Sequence, residues 1–327
     1  MQNKIKYGVT LYCFTEEYAR GEFSMEDCIR KVGEMGATGY EIVATQMIPS
    51  YPYISDEFLG LVKKCEELYD VHPVCYGANM DRGMRRDRNL TPDEMYARAV
   101  TDIKSASRMG CKVLRHQFLM GPDVLRRLAP VAEDYDVRVG IEIHNPERPT
   151  SPIMLEYLEQ IEASGSKYIG FIPDMGCFAT KPNKPNWEEA LRNGTREEVL
   201  RRAAALRYDE TPMAEAEKIL KSELNASDRE IGSVSGMWGF VTFYKKPDLE
   251  GLKYIMPHVY EFHSKFHYMY EDLHEASIPY EDVLPVIQNS EFEGYLISEY
   301  EGHGSGEDVS VQVHRHLDME KKILGDK

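Results

Sequence analysis

The 327-residue sequence is short of the features that mark a disulfide-stapled, membrane-spanning or nucleic-acid-binding chain. Its six cysteines, Cys13, Cys28, Cys65, Cys75, Cys111 and Cys177, never stand in CxxC spacing, which argues against a zinc ribbon or a redox motif. Several lie in apolar segments, where buried free thiols are usual, so the expectation is a reducing, cytoplasmic setting. No apolar run approaches the roughly 20 residues of a membrane span, and the opening MQNKIKYGVTLYCF lacks a secretory signal pattern. Basic residues are in deficit, 39 against 55 acidic ones, for a net charge of −16. A surface of that sign disfavours nucleic acid and anionic membrane as partners. A glycine-rich phosphate loop is also missing, which favours a non-phosphorylated ligand.

What is there is alternation. KYGVTLYCF, GYEIVAT, VHPVCYGA, KVLRHQF, VRVGIEIH, KYIGFIPD, VYEFHSKF and GYLISEY read as eight strands, separated by amphipathic helical stretches. Thr91, Pro92 and Glu94 form a capping box with proline at the first helical position. Gly36 is a stop signal after SMEDCIRKVGEM. Eight βα units predict a single α/β domain over 1–327, a (β/α)8 TIM barrel. From Asp174 to His263 the chain is about three times too long for one unit. Residues 180–255 carry NWEEALRNG, TREEVLRRAAALRY and TPMAEAEKILKSEL, so they are expected to be a helical insertion after strand six. Such a stretch is either a thickened outer helix layer or a lid or docking platform beside the barrel mouth.

The chemistry sits at strand ends. Glu142, Asp174, His263 and Glu299 close strands five to eight in order, and a parallel barrel gathers its C-terminal strand ends at one mouth. Three carboxylates and an imidazole there suit a divalent cation with oxygen and nitrogen ligands. Side chains alternate along a strand, so His144 shares the face of Glu142, Glu301 that of Glu299, and Lys265 and His267 that of His263. Arg115 and His116 at the end of strand four are candidate substrate contacts, and Phe266, His267, Tyr268 and Tyr270 either stack on a flat ligand or pack the mouth.

IEIHNP, FIPDMG, EFHSKF and SEYEGH together resemble the sugar isomerase/epimerase superfamily with the xylose-isomerase-like barrel. In that family Glu, Asp, His and Glu from strands five to eight hold a metal, which implies Glu142, Asp174, His263 and Glu299 here. More narrowly, IEIHNP, the long helical stretch before EFHSKFHYM and the IPYEDVLP…YLISEYEGH ending are similar to the large subunit of bacterial C-glycoside deglycosidases. That resemblance implies a small β-rich partner subunit, a Mn²⁺ cofactor (Mg²⁺, Co²⁺, Zn²⁺ or Fe²⁺ being alternatives) and cleavage of the bond between a 3-oxo-sugar and a flavonoid-type aglycone. The alternative is a metal-dependent isomerase or epimerase of a free ketose. Both need proton abstraction beside a sugar carbonyl. Glu142 and Glu299 are expected to flank the sugar as base and acid. His144 is expected to move the aglycone proton, or else only to orient Glu142. Lys265 is expected to meet a developing oxyanion or to pair with Glu301, with His267 and Glu301 near the substrate. An abasic-site endonuclease on the same barrel is disfavoured by the charge. A scaffold with a degenerate site is disfavoured by four intact ligand candidates.

Overall fold

A computed structural model describes residues 4–79, 85–302 and 305–326. Eight strands, β1 Lys6–Thr10, β2 Gly39–Val43, β3 His72–Ala78, β4 Val113–Gln117, β5 Arg138–Ile143, β6 Ile169–Pro173, β7 Phe262–Phe266 and β8 Tyr295–Tyr300, form one parallel sheet. Its order is β6-β5-β4-β3-β2-β1-β8-β7. Single bridges Phe171–Val259 and Asp174–His263 join the two edge strands, so the sheet is a nearly closed (β/α)8 barrel. The strands are buried along almost their whole length, as expected where helices cover the outside and side chains fill the inside.

The helix Pro92–Met109 shows how the wall is built. Thr91 accepts from Glu94 N–H while Glu94 reaches back to the Thr91 N–H, satisfying two orphan donors. Met95, Ala99, Ile103, Ala106 and Met109 form the buried stripe, each large side chain contributing about 1.5–3 kcal/mol. Gly110, at φ 92°, then turns the chain back toward β4. All six cysteines are buried and unpaired, and among the described residues no helix is long and apolar enough to cross a membrane.

The long connection after β6 is helical: Lys184–Arg192, Glu197–Tyr208, Met213–Leu224, Asp228–Val234 and Leu249–Ile255. Its closing turn returns to the barrel mouth. Asn145 Nδ2 donates to Gly176 O (2.9 Å) and Thr242 O (3.3 Å), and Tyr244 O–H donates to Pro146 O (2.8 Å). Two strand ends differ from the sequence reading. LYCF after Thr10 is a 3-10 turn, with Thr10 Oγ1 accepting from Tyr12 N–H, and Ala44–Met47 after β2 is a short helix. Pro212 is the N-cap of the helix Met213–Leu224.

Candidate metal centre

The barrel brings Glu142, Asp174, His263 and Glu299 to one point, each with a ligand atom within 4.8 Å of the others. His263 Nδ1 lies 3.1 Å from Glu142 Oε1 and 3.3 Å from Glu299 Oε2. All four side chains are buried. His263 Nδ1, Asp174 Oδ2 and Glu299 Oε2 point inward without an aligned hydrogen bond, although Lys265 Nζ stands 2.6 Å from Asp174 Oδ2. Orphaned buried donors and acceptors are costly, and here three converge on the same space. The four carboxylates of Glu41, Glu142, Asp174 and Glu299 outnumber the basic groups among them, Arg115, Lys265 and His263. Donor type, convergence and charge all fit a divalent ion.

Glu41, in the middle of the otherwise apolar β2, was not among the sequence candidates. A shift in β2–β3 register between Tyr40 and Glu41 accompanies its inward aim, a common use of bulges beside sites. Its Oε2 lies 2.5 Å from His263 Nε2 and its Oε1 3.2 Å from an Arg115 guanidinium nitrogen. That leaves Nδ1 as the ligand atom, fixed by a carboxylate behind it. Arg115 also donates to Glu142 Oε2 at 2.9 Å, so it ties β2 to β5. Glu261, one face-repeat before His263, is buried with Glu41 and His263 and is pushed up to about 8 by burial, helped by the Glu41 charge.

Electrostatics sort the carboxylates. Burial opposes the charge of Glu142, but the Arg115 guanidinium and His263 hold it well below its ordinary value. Burial likewise opposes Glu299, yet His263 and Lys265 bring it to about 2. Both are therefore ionised near neutrality, which suits ligands or a base and not the acid expected of one of them. Burial lifts Asp174 despite the Lys265 ammonium. Lys265 is held well above its ordinary value: the charges of Asp174, Glu301 and Glu299 outweigh its burial.

His144 follows β5, its Nδ1 2.8 Å from Asn145 O and its Nε2 2.7 Å from Lys265 Nζ. A carbonyl can only accept, so Nδ1 carries the proton and the Nε2 lone pair accepts from the Lys265 ammonium. Glu301 lies 3.2 Å from Lys265 Nζ at the rim. A cavity of about 380 Å³ above the centre is lined by Gln117, Leu119, Glu142, His144, Phe240 and Glu301.

Two sequence expectations, His116 and His267 as substrate contacts, do not match the geometry. His116 points outward from β4 toward Asp102 on the covering helix, 3.8 Å away, and burial holds it at about 3. Arg115 and His116 are neighbours, and neighbouring strand residues face opposite sides. His267 is buried, its N–H donating to Glu275, and it lines neither described cavity at the mouth. The aromatic run packs the wall: Phe266 stacks on His316 at 4.1 Å, and Tyr268 pairs with Tyr270 under Lys184.

No family model matches the sequence. Among solved structures, D-psicose 3-epimerase in the presence of D-fructose has a TM-score of 0.57 at 12% identity, covering 98% of this chain and 99% of that one. IOLI protein with a bound zinc atom has a TM-score of 0.59 at 10% identity, covering 98% of each chain. At such identities the likeness is one of fold, a (β/α)8 barrel. Sequence likeness narrows the class. The C-glycoside deglycosidase alpha subunit of Arthrobacter globiformis is 30% identical over 334 residues, covering 98% of this chain and 92% of that protein. The 3'-dehydrocarminate deglycosidase alpha subunit of a Microbacterium species is 30% identical over 310 residues, covering 91% and 88%. The chain belongs to the C-glycoside deglycosidase alpha-subunit family and is an enzyme.

Proposed function

We propose that this chain is the metal-bearing catalytic subunit of a cytoplasmic C-glycoside deglycosidase, a lyase that cleaves the carbon–carbon bond between a 3-oxo-sugar and an aromatic, flavonoid-type aglycone. A small β subunit is its partner. The observation that carries the reading is the convergence of Glu142, Asp174, His263 and Glu299 beneath a cavity, in a chain similar along nearly its whole length to deglycosidase alpha subunits. Those four residues would hold the ion, Mn²⁺ being the first choice for three carboxylates and one imidazole. When bound, it supplies Lewis acidity to the sugar carbonyl and makes the hydrogen on the adjacent carbon more acidic.

The chain's own groups divide the rest. An ionised carboxylate, Glu299 or Glu142, takes the proton from C2 of the 3-oxo-sugar. The C2 electron pair becomes the C1=C2 double bond as the bond from C1 to the aglycone breaks. His144 Nε2, released as Lys265 Nζ turns fully to Asp174 and Glu301, takes the proton of a phenolic hydroxyl beside the departing carbon and delivers it to that ring carbon. The electrons of the broken bond then restore the aromatic ring as a phenolate, which takes up the proton that the carboxylate removed from C2. Net, the sugar leaves as a 1,2-unsaturated 3-ketone and the aglycone gains one hydrogen at the carbon that carried the sugar. Lys265 orients His144 and holds Asp174, and Arg115 acts through Glu41 and Glu142 as a positioning residue.

Glu142→Ala and Asp174→Ala should each lose bound metal and activity with the barrel's circular dichroism unchanged. His144→Gln should retain metal and lose at least about a hundredfold in kcat, the usual size of a general acid–base contribution. Full turnover after chelation would end the metal reading. Epimerisation of free ketoses by the chain alone, with 3-oxo-C-glycosides untouched, would overturn the deglycosidase reading.

A further inference from the structure

Phe240 is 71% exposed, more than any other large apolar side chain among the described residues. Its surroundings are not those of a loose surface residue. The turn that carries it is tied down on both sides: Trp238 Nε1 donates to Thr211 O at 2.7 Å before it, and after it Arg207 Nε donates to Thr242 Oγ1 at 2.7 Å. Gly239 N–H and Val241 N–H both donate to Gly236 O. Thr242 O accepts from Asn145, the residue next to His144. The backbone on either side of the ring is therefore held, and the ring lies edge-to-face with His144 at 5.5 Å between centroids.

The space above the centre has two lobes. One, about 380 Å³, has Leu119 and Phe240 as its apolar walls. The other, about 210 Å³, is lined by Tyr12, Gln46, Asn79, Arg115 and Glu299 among others. Gln117, Glu142, His144 and Glu301 line both. A polar lobe and an apolar lobe that meet at His144 match a ligand with a sugar at one end and a flat aromatic group at the other. An exposed aromatic ring on an anchored backbone has only two side-chain torsions to lose on ligand binding and gains apolar burial and stacking.

We propose that the apolar lobe is an aromatic-aglycone subsite and that Phe240, delivered by the connection after β6, is its specificity-determining residue. The proposal rests on the deglycosidase reading for its substrate, although binding of the aromatic group alone tests it separately. Phe240 stacks on the aglycone and holds the phenolic edge toward His144 Nε2. The helical connection thereby sets which aglycones are accepted, while the barrel sets the sugar.

The test uses the full chain with its co-purifying small subunit, and two readouts. Binding of a free hydroxyflavone is followed by quenching of protein fluorescence, and KM and kcat are measured on a 3-oxo-C-glycoside of a hydroxyflavone. Phe240→Ala should weaken hydroxyflavone binding and raise KM by about tenfold, the loss of one aromatic contact, with a much smaller fall in kcat. Phe240→Trp should restore both, and metal content should stay unchanged. A wild-type protein that binds no hydroxyflavone, or a Phe240→Ala protein that binds it and turns over as wild type, overturns the proposal. So does an effect that comes only through lost subunit assembly, seen as failed co-purification. Hydroxyflavone binding that depends on Phe240 in a protein that cleaves no 3-oxo-C-glycoside keeps the subsite and removes the deglycosidase reading instead.

Discussion

Glu41 decides what His263 can do. A buried imidazole offers either nitrogen, and only the carboxylate on Nε2 at 2.5 Å commits Nδ1 to the cluster. The His263 ring is held well above its ordinary value, the charges of Glu41 and Glu299 outweighing its burial. Glu41→Gln keeps the shape and removes the charge. Metal affinity, measured by titrating Mn²⁺ into chelator-treated protein, should fall by about ten- to a hundredfold, as losses behind a ligand usually do. An unchanged affinity would mean that Glu41 serves only Arg115. None of this was legible in GYEIVAT, where one glutamate in an apolar strand has no visible partner. Its partners, His263 and Arg115, are far away in sequence and meet it only once the barrel closes. The one local signal was the charge itself, since such a strand does not bury a carboxylate without a use. The same alternation rule that aligns Glu142 with His144 separates Arg115 from His116, which is why only Arg115 faces inward.

At the scale of the strand, Gly77 in β3 makes room for that network. A Cβ at Gly77 would lie 2.6 Å from Glu41 Oε1 and 2.9 Å from an Arg115 guanidinium nitrogen. Both atoms are held by further partners, so neither can swing aside without cost. Gly77→Ala should lower metal affinity and turnover together, at an overpacking cost of about 1–3 kcal/mol in urea unfolding. Wild-type metal binding in that variant would show that the cluster has slack. The elements themselves were largely readable in the sequence. Apolar runs mark the eight strands, and the capping box at Thr91 marks a helix start. Strand ends were less so, because LYCF and the AT of GYEIVAT directly continue strand-like runs and turn only where the barrel rim requires it. Phe240 was unreadable for a related reason: the turn from Gly236 to Val241 is defined by anchors at Thr211, Arg207 and Asn145, none of them adjacent in sequence.

Across the whole molecule, buried carboxyls set how stability depends on pH. Burial raises Asp102 to about 7 and Glu261 and Glu320 to about 8, from ordinary values of 3.8 and 4.5. A carboxyl raised in the folded state stabilises fully below its unfolded value and progressively less as pH climbs to its folded value. These three therefore make the folded state weaker from about pH 4 to pH 8. Asp27, Glu94 and Glu230 act in the opposite sense. Hydrogen bonds from Ser24, Arg88 and Arg196 lower them to about 2, so their contribution is present above their ordinary values and lost as pH falls toward 2. The two sets leave an optimum near pH 5. Chelator-treated protein should be used, because metal binding itself displaces protons. Urea unfolding at pH 5, 6.5 and 8 should show stability falling across the series. Glu320 lies outside the metal cluster, behind the barrel wall beside Ser264, so its titration can be removed without touching the site. Glu320→Gln should flatten the profile, recovering on the order of 3 kcal/mol at pH 8 relative to pH 5. A parallel profile in that variant would mean that Glu320 finds a compensating partner once ionised, and that the loss at high pH belongs to Asp102 and Glu261.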